Sequence, residues 1–179
     1  MTESKDETHR PGVTTAQGDG GLPDDRAGES IGFLLSQVGI YAARQFAERL
    51  SGLDLQPPQF RVMNVVDAAE GLSQQAIAEA IGAPASRMVM IVDELEQRGL
   101  IERRTDPSDR RAHALFLTTN GRKLLARARK IAHQHEDEIM RGIGAADRKR
   151  LIALLQQVVS QQEIGAGVHP GLREPESKR

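Results

Sequence analysis

The stretch that decides the fold is SQQAIAEAIGAPASRMVMIVDELEQRGLIERRTDPSDRRAHALFLTTNG, residues 73–121. Ser73 is a favourable N-cap for a first short helix, and Gly82 stops that helix. A second helix begins near Pro84 and ends at Gly99, since proline suits a first turn and glycine suits the position after a last turn. Two helices joined by so short a turn are typical of a helix-turn-helix, whose second helix can lie in the major groove of DNA.

The spacing of side chains gives the second helix an inward face and an outward face. The inward face is apolar and consists of Met88, Ile91, Val92 and Leu95. The outward face consists of Ser86, Arg87, Met90 and Glu94. The first turns of this helix are therefore free to meet base edges.

Two predicted strands, residues 101–104 and 112–117, flank a loop at residues 105–111. Pro107 and the aspartates around it mark the loop as a turn. Residues 84–130 carry 11 Lys/Arg and 6 Asp/Glu, a net charge of +5. Such a basic segment is the usual footprint of a phosphate-binding surface, although charge runs are also ordinary solvated helix faces. A basic hairpin after a helix-turn-helix favours the first alternative and predicts a wing.

Helical periodicity continues on both sides of this segment. Further helices are predicted over residues 30–50, 57–70, 118–141 and 146–163. Residues 1–29 are predicted to be a disordered acidic tail, because they are poor in large apolar side chains. Residues 165–179 are predicted to be a flexible C-terminal tail for the same reason. The expected fold class is mainly α with a small β-hairpin.

The composition excludes several classes of protein. The chain has no Cys, which excludes disulfides, thiolate zinc sites and thiol redox sensors. It has no apolar run of the roughly 18 to 20 residues that span a bilayer and no signal-peptide core, so a soluble cytoplasmic protein with no membrane partner is expected. His133 and His135 point to different sides of a helix, so no metal site is expected. Without a phosphate loop or a recognisable nucleophile motif, neither an enzyme nor a cofactor is expected.

Three segments carry a specific resemblance to a known family. They are Leu95-Glu96-Gln97-Arg98-Gly99-Leu100-Ile101-Glu102-Arg103-Arg104, then Asp106-Pro107-Ser108-Asp109-Arg110-Arg111-Ala112, and then Leu115-Phe116-Leu117-Thr118 with Gly121. Together they closely resemble the MarR family, the multiple-antibiotic-resistance-type regulators, over about residues 30–163. The Asp-Arg-Arg wing followed by Leu-Thr is the most specific part.

The resemblance implies a winged helix-turn-helix flanked by dimerisation helices. Residues 30–52 and 119–164 would interlock two copies of the chain as a homodimer. Residues 53–118 would form the DNA-binding lobe, with the recognition helix in the major groove and the wing in the minor groove.

The resemblance also implies a set of DNA-binding residues by motif position. The set consists of Gln74, Ser86, Arg87, Met90, Asp109, Arg110 and Arg111. Arg110 would enter the narrow minor groove, while Asp109 and Arg111 would shape the wing. Met90 departs from many members, which carry a basic or small polar residue there. Methionine makes no bidentate hydrogen bond to guanine, but it can pack on a thymine methyl group. For Gln74, Arg87 and Arg110, an ordinary solvated side chain is the alternative.

Many members of the family respond to small anionic aromatic compounds. The resemblance implies an effector pocket between the dimerisation helices and the DNA-binding lobe, and Tyr41, Arg44 and Phe60 are its candidate residues. Tyr41 lies on an apolar helical stripe, so a core residue is the alternative for that position.

The leading hypothesis is a homodimeric repressor that binds a pseudo-palindromic double-stranded DNA operator and releases it when an effector binds. An activator is not distinguished from a repressor by sequence. A winged-helix protein-interaction module without operator recognition is the alternative from another class. The acidic N-terminal tail, with a net charge of −4 over residues 1–30, is either a competitor of DNA for the basic surface or a solubilising leader.

Overall fold

The computed structural model describes residues 30–105 and 113–162. The elements are α1 (Ile31–Ser51), α2 (Pro57–Ala68), α3 (Gln74–Ile81), α4 (Ala85–Gln97), β1 (Ile101–Thr105), β2 (His113–Leu117), α5 (Thr119–Ile139) and α6 (Ala145–Gln161). Residues from Gly39 onward form one compact unit, and residues 30–38 belong to another. The predicted fold class, mainly α with a small β-hairpin, is confirmed over the described residues.

Local capping explains why α3 and α4 begin and end where they do. The Oγ of Ser73 accepts a hydrogen bond from the backbone N–H of Ala76 at 3.2 Å, so the predicted N-cap is confirmed. Gly82 follows α3 with φ of 69°, a left-handed conformation that glycine adopts without strain. Pro84 is the N-cap of α4. The two helices of the predicted helix-turn-helix are thus separated by three residues, 82–84.

β1 and β2 pair as an antiparallel hairpin in which Arg103 lies opposite Leu115. A third segment, which the sequence patterns do not predict, joins β2. The backbone N–H of Gly71 donates to the carbonyl of Leu115 at 3.1 Å, and the N–H of Leu115 donates to Leu72 at 3.0 Å. This pairing explains why α2 ends at Ala68 rather than at the predicted residue 70, because the chain has already turned toward the hairpin.

The core lies among the end of α1, α2, α3, α4, the hairpin and the first turns of α5. Apolar side chains from all of these elements are buried, and the inward face predicted for α4 is among them. The fully buried side chains of highest volume include Leu50, Leu55, Met63, Ile77, Ile81, Met88, Leu95, Ile101, Leu115, Leu117 and Leu125. This core fixes the orientation of α4 relative to the hairpin.

α6 contrasts with that core because none of its residues is buried. Its exposed apolar side chains are Leu151, Ile152, Leu154, Leu155, Val158 and Val159. Residues 30–38, described by themselves, are likewise exposed and include several large apolar side chains. Among the described helices, none combines the length and the apolar character needed to cross a membrane.

Candidate nucleic-acid interface

α4 presents a polar and thioether surface on its outward face. Ser86 is exposed and Met90 is 64% exposed, while Arg87 is half-buried. The opposite face of α4 is buried through its length. The three residues predicted for the recognition face thus lie in the first turns of α4, where a helix in the major groove meets base edges.

Arg103 of β1 holds α4 in place through several hydrogen bonds. Its guanidinium donates to the carboxylates of Asp93 and Glu96, both on α4. It also donates to the amide oxygen of Gln74 at 3.1 Å. The backbone N–H of Arg103 donates to Glu96 at 3.2 Å as well. One side chain therefore joins β1 to both helices of the helix-turn-helix.

Burial and the carboxylates of Asp93 and Glu96 shift the pKa of Arg103 in opposite directions. Burial alone would lower the pKa of Arg103, but the hydrogen bonds and charges of Asp93 and Glu96 outweigh burial and raise it. Arg103 therefore stays charged, and its planar fork suits two carboxylates at once. Gln74, predicted as a phosphate contact, has its amide oxygen committed to Arg103.

Arg104 lies one position further along β1 and makes a different set of contacts. It pairs with Glu102 on the same strand, and its guanidinium carbon stacks 4.3 Å from the ring centroid of Phe116. Successive side chains of a strand point to opposite faces, which accounts for the separation of Arg103 from Arg104.

Two arginines of α5 tie that helix to α2. Arg122 pairs with Glu70, just after α2. Arg129 pairs with Asp67 at 2.7 Å and donates to the Asn64 side chain at 2.9 Å. The sequence does not predict the partners of these arginines, because charge and helical spacing alone do not show which helix packs alongside.

A tight junction joins the end of the hairpin to α5. The hydroxyl of Thr118 donates to the carbonyl of Gly99 at 2.6 Å, and its oxygen accepts from the N–H of Gly121 at 3.0 Å. Gly121 is buried, and a Cβ built on it would overlap the carbonyl oxygen of Leu100. Only glycine fits here, so the start of α5 is pressed against the turn that follows α4.

The wing tip lies outside the described residues, which stop at Thr105 and resume at His113. The predictions for Asp109, Arg110 and Arg111 fall in that gap and stay predictions. What the structure supplies is the paired base of the hairpin on either side of it.

A cavity of about 190 Å³ lies between α1 and α5. It is lined by Tyr41, Gln45, Arg49, His135, Glu138, Ile139 and Arg141. Tyr41 was a predicted pocket residue and lines this cavity. Arg44 and Phe60 do not line it, and Phe60 instead packs edge-to-face on Phe46 with ring centroids 5.6 Å apart. The contribution of α5 was missed, since periodicity does not show which α5 residues face α1.

His135 and the Arg49–Glu138 pair set the electrostatics of the cavity. The His135 ring is buried and stacks on Phe46 at 5.4 Å. Burial, with a contribution from the Arg49 charge, lowers the pKa of His135 below its usual value. The hydrogen bond from Arg49 lowers the pKa of Glu138. At neutral pH the cavity therefore contains a neutral imidazole beside a charged ion pair.

Comparisons with known proteins agree with this geometry. The sequence profile of the MarR family matches residues 53–112. A protein described as the transcriptional regulatory protein for the hcr operon of Thauera aromatica is 35% identical over 136 residues, which are 75% of this chain and 81% of that protein.

Two solved structures of the repressor CouR are similar to this chain. One, bound to a 23-mer DNA duplex, has a TM-score of 0.70 and 35% identity, and the match covers 77% of this chain and 98% of that one. The other, from Rhodococcus jostii RHA1 and bound to p-coumaroyl-CoA, has a TM-score of 0.65 and 32% identity over 75% of this chain and 95% of that one.

The winged helix-turn-helix geometry, the family profile and relatives matched over most of their length agree with one another. The chain belongs to the MarR family of DNA-binding transcriptional regulators, which are not enzymes.

Proposed function

We propose that this protein is an effector-responsive repressor that binds a pseudo-palindromic operator as a homodimer in the cytoplasm. The observation that carries the proposal is the exposed outward face in the first turns of α4, on a helix whose second half Arg103 joins to β1 and α3. A recognition helix must be rigid as well as exposed, because contacts to base edges depend on its position. The similarity to a repressor bound to DNA supports the same function.

The homodimer is supported by the apolar side chains that α6 leaves exposed. A monomer that exposes so many of them on one helix presents an interaction surface. The occupant we propose is a second copy of this chain. The DNA in the CouR complex is a 23-mer, which has room for two half-sites one helical turn (about 10 bp) apart, and a twofold dimer reads two such half-sites.

The effector response is supported by the cavity between α1 and α5 and by the CouR structure bound to an aromatic acyl thioester of coenzyme A. An effector would act by favouring dimers in which the two recognition helices have the wrong spacing. Tyr41 is a proposed contact for an effector in this cavity. Arg44 and Phe60, which do not line the cavity, stay proposed contacts only for an effector that extends beyond it.

The DNA contacts are proposed residue by residue. Ser86, Arg87 and Met90 would contact bases in the major groove. Gln74 would contact a phosphate. In the wing, Arg110 would enter the minor groove, and Asp109 and Arg111 would shape the loop. Met90 is proposed to pack on a thymine methyl group, since its exposed thioether offers no bidentate hydrogen bond.

The test is fluorescence anisotropy with the DNA immediately upstream of the coding gene, against scrambled competitor and across a salt series. An operator-binding dimer gives tight, competitor-resistant binding with a steep negative salt slope. Binding without sequence preference or salt dependence would instead indicate the protein-interaction module.

The Arg110→Ala variant tests the wing in the same assay. We expect binding to weaken by about 1–3 kcal/mol at fixed salt. Arg150→Ala on α6 is the matched control once sedimentation equilibrium shows that it dimerises like the wild type, because it removes the same charge from an exposed position. Equal losses for the two variants would assign the effect to net charge rather than to the wing.

A further inference from the structure

The cavity between α1 and α5 is smaller than most ligand pockets but has room for one small ring. Its volume of about 190 Å³ lies below the roughly 300 Å³ at which such pockets usually begin, and above the roughly 150 Å³ of an engineered cavity that binds benzene. A six-membered ring with one small polar group therefore fits. The neutral ring of His135, backed by Phe46, forms part of the wall, and Ile139 contributes an apolar side chain.

The charges that line the cavity do not cancel. Arg49 and Arg141 are positive, Glu138 is negative and His135 is neutral, which leaves one positive charge in the lining. With Glu138 in place the lining therefore favours a negatively charged ligand. With Glu138 moved out of the lining it favours an anion more strongly, because two positive charges then remain.

Glu138 already binds the Arg49 nitrogens that would bind an anionic ligand. Its two carboxylate oxygens accept from the two terminal nitrogens of Arg49, one of them at 3.1 Å. This is the fork geometry in which arginine holds any carboxylate. The Nε of Arg49 is buried and has no hydrogen-bond partner among the residues that the structure describes, so Glu138 leaves one donor of the fork unused.

Glu138 is also able to move. It is 44% exposed at its side chain and lies in the last turn of α5, one residue before the helix ends at Ile139. An exposed ion pair of this kind is held only weakly, because water solvates both partners when they separate. Replacement of Glu138 by another carboxylate therefore costs little.

We propose that Glu138 is an internal competitor for the cavity, and that an anionic ligand binds by replacing the Glu138 carboxylate on Arg49. The ligand class is a ring that carries one carboxylate. Glu138 then sets the affinity of the cavity and its preference between charged and neutral ligands. This inference rests on the proposed effector response, since it describes how an effector would enter that site.

The sequence supplies its own probe for this cavity. Tyr41 is the one tyrosine of the chain, and there is no tryptophan, so ultraviolet-excited emission above 300 nm comes from a residue that lines the site. Cyclohexanecarboxylate is a suitable ligand because it does not absorb where tyrosine is excited. Cyclohexanecarboxamide has nearly the same shape without the charge.

The experiment titrates both compounds into the full chain without DNA and follows Tyr41 emission, with calorimetry as a second readout. We expect a saturable change with the carboxylate and binding of the amide weaker by about tenfold, as for loss of a charge-assisted hydrogen bond. Glu138→Gln should bind the carboxylate roughly two- to fivefold more tightly, the range expected from removing an exposed competing ion pair. Arg49→Met should abolish the preference for the carboxylate.

The matched control is Glu136→Gln, which removes the same charge from an exposed position of α5 outside the cavity lining. Tighter binding in both variants to the same extent would overturn the proposal, because it would reflect net charge. Equal binding of acid and amide, weaker binding by Glu138→Gln, or no saturable signal in any variant would overturn it as well. Circular dichroism of each variant separates these outcomes from unfolding.

The same ligand added to the protein–DNA complex separates this inference from the proposed function. If the Tyr41 emission change saturates while the DNA stays bound, the proposed replacement of Glu138 by the ligand would be retained and the proposed effector response would be rejected. Release of DNA with equal ligand dependence in wild type, Glu138→Gln and Arg49→Met would retain the response and place its site elsewhere.

Discussion

The segment from α2 to β2 buries its apolar side chains, whereas the helix α6 leaves its apolar side chains exposed. Within the described residues, the first encloses Met63, Ile77, Met88 and Leu95 almost completely. α6 has leucines, isoleucine and valines at helical spacing as well, yet every one of them is at least a third exposed. Apolar residues at helical spacing are thus covered by other parts of the same chain in the first region, but they stay uncovered on α6. An exposed apolar face of this size is typical of an interaction surface, which is the basis of the proposed homodimer.

The polar groups of the two regions differ in the same direction. In the first region, Arg103 has partners on α3 and α4, and the buried side chain of Gln59 on α2 donates to Glu94 on α4 at 2.9 Å. At α6, Arg148 pairs with Asp137 at 2.9 Å across an exposed surface. The first arrangement joins elements that must keep a fixed angle, whereas the second joins neighbouring helices loosely.

Gly121→Ala offers the strongest test of how tightly the first region is closed. The new Cβ would overlap the carbonyl oxygen of Leu100, and backbone on both sides must shift. We expect the free energy of unfolding to fall by about 3 kcal/mol or more. Urea denaturation followed by circular dichroism at one protein concentration measures this loss.

Gly39→Ala is the control for that variant, because a Cβ at Gly39 meets nothing within 4 Å. Since glycine inside a helix costs about 0.5–1 kcal/mol relative to alanine, this change should leave stability unchanged or raise it. If Gly121→Ala lowers the free energy of unfolding no more than Gly39→Ala does, the contact of Gly121 with Leu100 accommodates a methyl group and is not tight.

Leu154→Glu tests whether the open face of α6 is an interface. Leu154 is 52% exposed, so a charge there should leave the fold of one chain intact. In a twofold dimer the charge enters the interface twice, and we expect the dimerisation free energy to weaken by about 2–3 kcal/mol. Sedimentation equilibrium gives the dissociation constant, and Gln156→Glu on the same helix is the control. An unchanged assembly would remove α6 from the proposed interface.

Arg103→Met and Arg148→Met compare one ion-pair network in each region. The first leaves Asp93 and Glu96 next to each other without their cation, so we expect a loss of about 1–2 kcal/mol in unfolding free energy. The second breaks one exposed pair, for which about 0.5 kcal/mol or less is usual. Urea denaturation gives the loss in free energy of unfolding for each variant. Equal losses would contradict the role proposed for Arg103 in holding α3, α4 and β1 together.

His135 provides the smallest effect, visible as a pH dependence. The pKa of His135 is lowered in the folded state by burial and by the Arg49 charge, with the hydrogen bond to the Ala42 backbone and the Glu138 charge acting in the opposite direction. As the pH falls through about 6.5, the unfolded chain takes up the proton first, and stability declines until the folded pKa is passed. One proton limits the slope to about 1.4 kcal/mol per pH unit. His135→Gln should remove this slope between pH 5 and about 7, and an unchanged slope would assign it to other groups.

Sequence patterns were sufficient for the helix-turn-helix because its signals are local. Ser73 caps α3, Gly82 ends it and Pro84 begins α4, and each of these residues acts on its own backbone neighbours. The inward face of α4 follows from helical period alone and is buried as predicted. Local chemistry of this kind needs no knowledge of what packs alongside.

The parts that sequence did not predict depend on distant segments. The pairing of Gly71 with Leu115 joins residues far apart in the chain and shortens α2. The partners of Arg103 come from two different helices, and the cavity combines Tyr41 with His135. Helical period shows on which side of its own helix a residue lies, but it does not show which other helix faces that side.

The junction at Gly121 has a mechanical consequence for a regulator. α5 has 21 residues, so at 1.5 Å per residue it is about 31 Å long. Its first turns are fixed by the contact of Gly121 with Leu100 and by the ion pairs of Arg122 and Arg129 with the α2 region. Glu138 lies about 26 Å from Gly121 at that rise, so a displacement of 1 Å at Glu138 tilts the helix axis by roughly 2°. An effector that acts as proposed, by changing the spacing of the recognition helices, would therefore have to displace the end of α5 by several ångströms.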